Sequence, residues 1–352
     1  MDETVSTPTP GRLARFKALI LLLNRLPGEV SRLNRRVDQL TAMIEANQRE
    51  NRLLLGQLSL PARETYDPLS PVEWWLPAKS AYPGGDVCRQ ASFDTGYFGY
   101  WSARLYEHLR HHRKLWEFVF ICQALYERGA LQPGVRGLGF GVGLEPLTAL
   151  FACEGVEIMA TDLEEEAATD LGWTDTKQHA TGREALRRPQ ICPDDVFDRN
   201  VRYRSCDMNA VPDDLTGFDF CWSACALEHL GSIEKGLAFI ERSVDCLKPG
   251  GWAIHTTEFN LSSNADTVDD MSTVLFRKRD FEALAERLKA RGHEMLPINY
   301  DPGNLPLDTY YDVAPYREWP HVKMALSGYA ATSIGIIVRR GTGAGQHENN
   351  PE

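Results

Sequence analysis

The sequence predicts a three-layer α/β sheet with helices on both faces, preceded by a helical extension of coiled-coil character. Three observations predict it. From about residue 134, short apolar runs alternate with amphipathic stretches. A glycine-rich turn, Gly139-Phe-Gly141-Val-Gly143, directly follows the first apolar run. Further upstream, apolar residues between Pro27 and Leu58 recur in steps of three and four.

The N-terminal pattern runs Val30, Leu33, Val37, Leu40, Ile44, then through Asn47 and Asn51 to Leu54. β-branched residues at a and leucines at d favour two parallel strands, and Asn51 at an a position restricts register. Residues 1–60 are therefore expected as a helical oligomerisation segment, giving a homo-oligomer through residues 28–57. A single amphipathic helix lying on its own domain is the other reading. Phe16 to Leu23 is apolar but shorter than the roughly 20 residues of a membrane span, and no small-residue cleavage site follows it. Beside Arg12, Arg15 and Lys17 this run fits either peripheral membrane contact or packing on a partner.

Residues 61–130 are expected as a linker and a helical lid. Pro61–Gly85 is rich in Pro and turn residues, with Trp74 and Trp75 inside it, and residues 100–129 have helical apolar spacing up to Gly129. In the main domain, residues 131–340, strands are expected at Val135–Gly139, Val156–Thr161, Val201–Cys206, Phe218–Ser223, Trp252–Thr257, His293–Tyr300 and Ala330–Arg339. Helices fall near 145–154, 232–247 and 279–291. The Gly/Asn-rich tail 341–352 is expected to be disordered.

Composition narrows the function. With 352 residues, 43% hydrophobic and 25% charged, the chain is neither fibrous nor disordered overall. A net charge of −11 leaves no basic surplus for a nucleic-acid backbone, and no nucleic-acid partner is expected. Eight cysteines lie scattered without CxxC spacing, which argues against a zinc ribbon or a redox pair. They read as reduced thiols in a cytoplasmic protein, at the inner face of the membrane if the N-terminal run makes contact.

Glycines after a first strand let a ligand approach the backbone closely. A second strand ends at Asp162, 23 residues after Gly139, where an acid can take two ribose hydroxyls or cap a helix. The loop is GxGxG rather than GxGxxG, and no tyrosine has lysine four residues on, which weighs against a nicotinamide cofactor.

At this point the sequence resembles a known family. VRGLGFGVGLEPL at 135–147 is similar to the first motif of class I S-adenosylmethionine (SAM) methyltransferases, and ATDL at 160–163 to the second. CDMNAVPDDL at 206–215, FDFCWSACALEHL at 218–230 and LKPGGWAIHTTEFN at 247–260 resemble the segments that follow, in order. The resemblance implies a Rossmann-like sheet of seven strands and SAM as cofactor, with S-adenosylhomocysteine as product. Carried over by position, it implies that Gly139, Gly141 and Gly143 pack on the methionine end. It implies Asp162 on the ribose and Leu163 on the adenine. Asp207 and Met208 would meet the adenine amino group and ring, and Ser223 would lie near the sulfonium. Where the family usually has an acid, this chain has Gly137, so Glu145, Glu117 or a backbone carbonyl would replace it.

Methyl transfer to a hydroxyl requires alignment and a base. The candidates are His229, His255 and Glu258, with Glu228 behind them. His229, His255 and Glu258 would also suit a divalent metal, although no metal motif is present. Tyr97, Tyr100, Trp101 and Tyr106 precede the loop. Tyr310, Tyr311, Tyr316 and Trp319 accompany Asp301, Asp308, Asp312 and His321 near the last strand. Aromatic faces beside carboxylates suit a sugar or an ordinary apolar wall. The segments at 172–180, 222–232 and 255–260 are similar to bacterial methyltransferases associated with surface-polysaccharide biosynthesis. The reading is O-methylation of a sugar hydroxyl on a glycan or nucleotide-linked sugar. A small-molecule or natural-product methyltransferase and a non-catalytic scaffold acting through its coiled coil are the alternatives.

Overall fold

The structure, a computed structural model, describes residues 27–28, 30–44, 47, 77–164 and 180–343. The apolar run at 16–23, seam positions Asn51 and Leu54, Trp74, Trp75, most of segment 172–180 and most of the tail lie outside the described residues. The chain divides into two units, Met1–Leu58 and Ser59–Glu352.

In the first unit residues 30–44 form a helix, α1. Its heptad residues Val30, Leu33, Val37, Leu40 and Ile44 are all 49–59% exposed.

The second unit is built on one sheet. Its central strands are β2 (Arg136–Gly139), β3 (Glu157–Asp162), β4 (Val201–Ser205), β5 (Phe218–Ala224) and β6 (Leu247–Asn260), all parallel to their neighbours. The order β4-β3-β2-β5-β6 makes β2 and β5 adjacent, so the chain reverses its direction of travel across the sheet between them. Such a switch point opens a crevice at the carboxyl ends of the strands. Beyond β6 lies the antiparallel β11 (Tyr329–Arg339), then β1 (Gly85–Val87) and β8 (Ile298–Asn299). Short strands β7 (Glu294–Met295), β9 (Tyr311–Asp312) and β10 (Lys323–Leu326) complete it.

Eleven strands are therefore present among the described residues, not seven. Two causes are visible. The run 293–300 is interrupted at Leu296-Pro297 and yields two short strands, because proline cannot donate a ladder hydrogen bond. The segment expected as linker and lid also contributes β1, which pairs with β11 through Asp86↔Gly335.

Helices cover both faces. α4 (Arg113–Glu127) and α5 (Leu147–Cys153) bury Trp116, Phe120, Leu150 and Phe151 in one core with Phe220, Trp222 and Ile337. On the other face α7 (Ile233–Asp245) and α8 (Lys278–Ala290) pack with Leu138, Cys221, Ala253 and Ile336. The alternation of Phe220 and Trp222 against Cys221 is the period-2 signature of a strand buried on both faces. Two small helices, α2 (Gln90–Phe93) and α3 (Gly96–Arg104), precede α4, and α6 (Asp194–Asn200) precedes β4.

The helix expected over 100–129 is two helices. Tyr106 adopts φ 58°, a left-handed conformation that ends α3, and His112 opens α4 by accepting the Lys114 N–H on Nδ1 at 3.1 Å. α4 is almost wholly buried, so it belongs to the body of the domain rather than to a lid.

Candidate active site

A cavity of about 450 Å³ sits where β2, β3, β4 and β5 end, within the size range of small-ligand sites. Gly141 and Gly143 form its floor from the loop after β2, with φ of 55° and 47°. A Cβ on Gly141 would stand 3.0 Å from the Ala226 methyl and 3.2 Å from Met208 Sδ, so the space there stays open only for glycine. The loop is pinned by Phe140 N–H to the Trp222 carbonyl at 2.9 Å and Val142 N–H to the Thr161 carbonyl at 3.1 Å.

Asp162 ends β3 on the cavity wall, and its carboxylate clamps three backbone segments. Oδ2 accepts the Gly143 N–H at 2.9 Å and the Ala180 N–H at 3.2 Å, and Oδ1 accepts its neighbour Leu163 N–H at 2.8 Å. After β4, Asp207 stands exposed on the rim and accepts the Asn209 N–H at 2.8 Å. Met208 behind it is buried with its sulfur toward Gly141. Leu163, Asp207 and Met208 all line the cavity.

Gly139 does not line the cavity. A Cβ there would lie 2.5 Å from the Trp222 ring and from Val142, so this glycine serves close packing of β2 on β5. Gly137 has a similar cause. The Phe220 ring stands 2.5 Å from where its Cβ would be, and this fills the place of the usual acid.

Two further expectations are corrected. Ser223 and His255 face away from the cavity, into the α7 side of the sheet. The Ser243 hydroxyl donates to the Ile240 carbonyl at 2.7 Å and so accepts the His255 Nε2–H at 3.0 Å. His255 Nδ1 is then left to accept the Ser223 hydroxyl at 2.8 Å. Burial pushes the His255 imidazole down to about 3, and no solvent reaches it. It is a neutral core histidine, neither a base nor a metal ligand.

His229 does reach the cavity. Its Nδ1 lies 2.8 Å from the Ser272 carbonyl, which can only accept, so Nδ1 carries the proton and Nε2 the lone pair. Nε2 stands 3.9 Å from Glu228 Oε1. Burial lowers the His229 pKa and keeps the ring neutral near pH 7. Glu258 is buried behind the wall. It is paired through Oε1 with Arg113, and burial raises it to about 7 against that partner's pull. Glu228 is buried as well, accepts the Thr257 hydroxyl at 2.9 Å, and is raised by burial.

Sequence reasoning missed the first turn of α4. Lys114 lines the cavity, donates to the Ala224 carbonyl at 3.1 Å, and lies 3.0 Å from Glu117 Oε2 and 3.9 Å from Glu145 Oε1. Burial alone would raise the Glu117 carboxyl, but Lys114 and Arg113 hold it below its usual value. Glu145, on the cavity wall, is driven well up by burial. Phe118 and Cys225 also line the cavity. The adjacent Arg113-Lys114 pair at a helix start was the available signal. A lone cysteine carries none.

Fold and cavity together define a doubly wound α/β domain with its ligand space at the switch point. The family model described as a methyltransferase domain matches residues 137–255. That stretch runs from β2 into β6 and includes the glycine loop, Asp162, Asp207 and His229. No curated protein matches the chain. Among solved structures, a SAM-dependent methyltransferase from Clostridium acetobutylicum is 15% identical, with 63% of this chain and 89% of that chain covered at a TM-score of 0.35. Magnesium protoporphyrin IX methyltransferase from Synechocystis is 12% identical, with 72% and 95% covered at 0.37. Phosphoethanolamine N-methyltransferase 2 from Haemonchus contortus is 18% identical at 0.39, with 70% of this chain and 57% of that chain covered. The fold rests on the strand order above. Among the described residues no helix is long and apolar enough to cross a membrane.

Proposed function

We propose that the protein is a SAM-dependent methyltransferase that O-methylates a sugar hydroxyl of a glycan or nucleotide-linked sugar. The observation that carries this reading is the convergence of Gly141, Gly143, Asp162, Asp207 and Met208 on one cavity inside the matched domain. The donor set fits the cofactor. A glycine cradle that a Cβ would fill admits a ligand against the backbone, acids stand where a ribose and an adenine amino group need acceptors, and Met208 offers an apolar face. Lys114 offers a cation to the carboxylate of an amino-acid tail, and the buried Glu145 carboxyl on the cavity wall offers its amino end the hydrogen-bonding group that Gly137 cannot.

SAM supplies an activated methyl group on a sulfonium, so the protein's work is alignment and removal of one proton. His229 Nε2, with its lone pair on the cavity wall, takes the acceptor hydroxyl proton, and Glu228 beside it stabilises the imidazolium that forms. Support for a sugar comes from the insertion before β10. Exposed Tyr316 packs its ring on His321, whose Nε2 accepts from Arg113 Nε at 3.3 Å, and Arg113 in turn pairs with Glu258. One aromatic face, Tyr316, is thus linked through His321 and Arg113 to the buried Glu258.

Calorimetry with SAM and S-adenosylhomocysteine, followed by a screen of sugar acceptors for S-adenosylhomocysteine release, tests the proposal. Absence of SAM binding would overturn it. Turnover of small-molecule acceptors but no sugar would retain the methyltransferase and discard the sugar.

We further propose that α1 joins two copies of the chain. Its apolar heptad face is exposed along its described length, and residues of that kind at a and d are buried in a coiled coil.

A further inference from the structure

We infer that Cys225, Glu228 and Glu258 form a site for one divalent cation of the zinc class, set in the wall of the cavity. The inference takes its purpose, not its binding chemistry, from the proposed methyl transfer.

One donor atom from each of the three residues lies within 4.8 Å of the other two. Their surroundings are those of ligands held ready. Glu258 is anchored through Oε1 by Arg113, while its Oε2, in a side chain 5% exposed, is buried with no hydrogen-bond partner. Glu228 is anchored through Oε2 by the Thr257 hydroxyl at 2.9 Å. Ligating carboxylates oriented by such outer partners are usual at metal sites. Cys225 adopts φ 51°, a left-handed conformation unfavourable to any residue but glycine, and its amide is fixed to the Thr256 carbonyl at 3.0 Å. Strain of this kind at a cavity wall is characteristic of functional positions.

One thiolate with two carboxylates suits Zn²⁺ rather than Mg²⁺ or Ca²⁺, and three protein ligands leave a fourth position open. Because Cys225 lines the cavity, that position is open to an acceptor hydroxyl. Coordination there would lower the hydroxyl pKa within reach of His229.

The test uses the full chain, stripped with chelator and titrated with Co²⁺ as a coloured surrogate for Zn²⁺. The expected result is one Co²⁺ per chain with a near-ultraviolet thiolate-to-cobalt absorption that Zn²⁺ displaces. Cys225→Ser should remove that absorption, and Glu258→Gln should weaken binding at least about 10-fold. No binding at millimolar Co²⁺, or an unchanged band in Cys225→Ser, overturns the site. Should the variants fail to fold, the wild-type titration alone decides, by presence or absence of the 1:1 thiolate band. Calorimetry with SAM on the same metal-free protein separates the two ideas. Cofactor binding without cobalt binding removes only the cation site, and the reverse removes only the methyl-transfer reading.

Discussion

In the proposed reaction, turnover depends most directly on His229. Replacing it with alanine should lower kcat by about 10²-fold or more, the usual contribution of a positioned general base, while the Kd for SAM stays within a factor of a few. A variant with near-normal kcat would move the proton transfer elsewhere. Asp162 acts on binding instead. Its carboxylate holds the loop through Gly143 and the strand end through Leu163. Asp162→Ala should weaken SAM binding about 10- to 100-fold by calorimetry, the loss of one or two charge-assisted hydrogen bonds. His255 contributes to stability rather than chemistry. Its folded pKa of about 3 lies below the ordinary histidine value, so only the unfolded chain binds this proton as the pH drops below about 6.5. The stabilisation is complete above that value and is lost as pH falls toward 3. The Tm advantage of the wild type over His255→Asn should therefore narrow as the pH falls from 7.5 to 4.5. His112, also held near 3 by burial, contributes in the same direction in both proteins.

At the scale of elements, β2 and β5 are fitted to each other through glycine. Gly137 lies under the Phe220 ring and Gly139 under the Trp222 ring, so the strand that carries the cofactor loop has no room for a side chain at either place. Restoring the missing acid by Gly137→Asp should therefore harm the protein. It adds overpacking to a buried unpaired carboxylate, at least about 3 kcal/mol together, and should show as a lowered denaturation midpoint without tighter SAM binding. α4 links the cavity to the acids behind its wall, since its first turn carries Lys114 to the cavity and Arg113 to Glu258 while its length is buried against β11 and β6. A further strand-level tie is Lys323 of β10. It is fully buried and donates through Nζ to the Cys88 carbonyl at 2.5 Å, which fastens the aromatic insertion to the segment after β1.

For the whole molecule, the exposed heptad face of α1 sets the expectation of a dimer. Leu33→Glu with Leu40→Glu, both at d positions, should reduce the mass in light scattering to that of one 39.6 kDa chain and leave SAM binding unchanged. A mass unaffected by both changes would remove α1 from any assembly. The second unit spans Ser59–Glu352, and all the cavity residues belong to it, which is why the two properties should separate.

The sequence alone determined the order of the central strands and helices, the glycine loop, and the acids at Asp162 and Asp207. Each of these is a local pattern, with the loop, the strand end and the turn following one another at short spacing. The tertiary structure decided which face each strand residue takes. Ser223 and His255 stand in strands of correct extent, but alternation says only that neighbours diverge. The packing of α7 sends this pair inward to Ser243, away from the cavity. Likewise, only the folded chain brings Lys114 and Glu117 to Glu145, 28 and more residues away, and sets β1 beside β11 some 250 residues distant. Contacts of that range depend on how the layers close, and no periodicity along the chain encodes them.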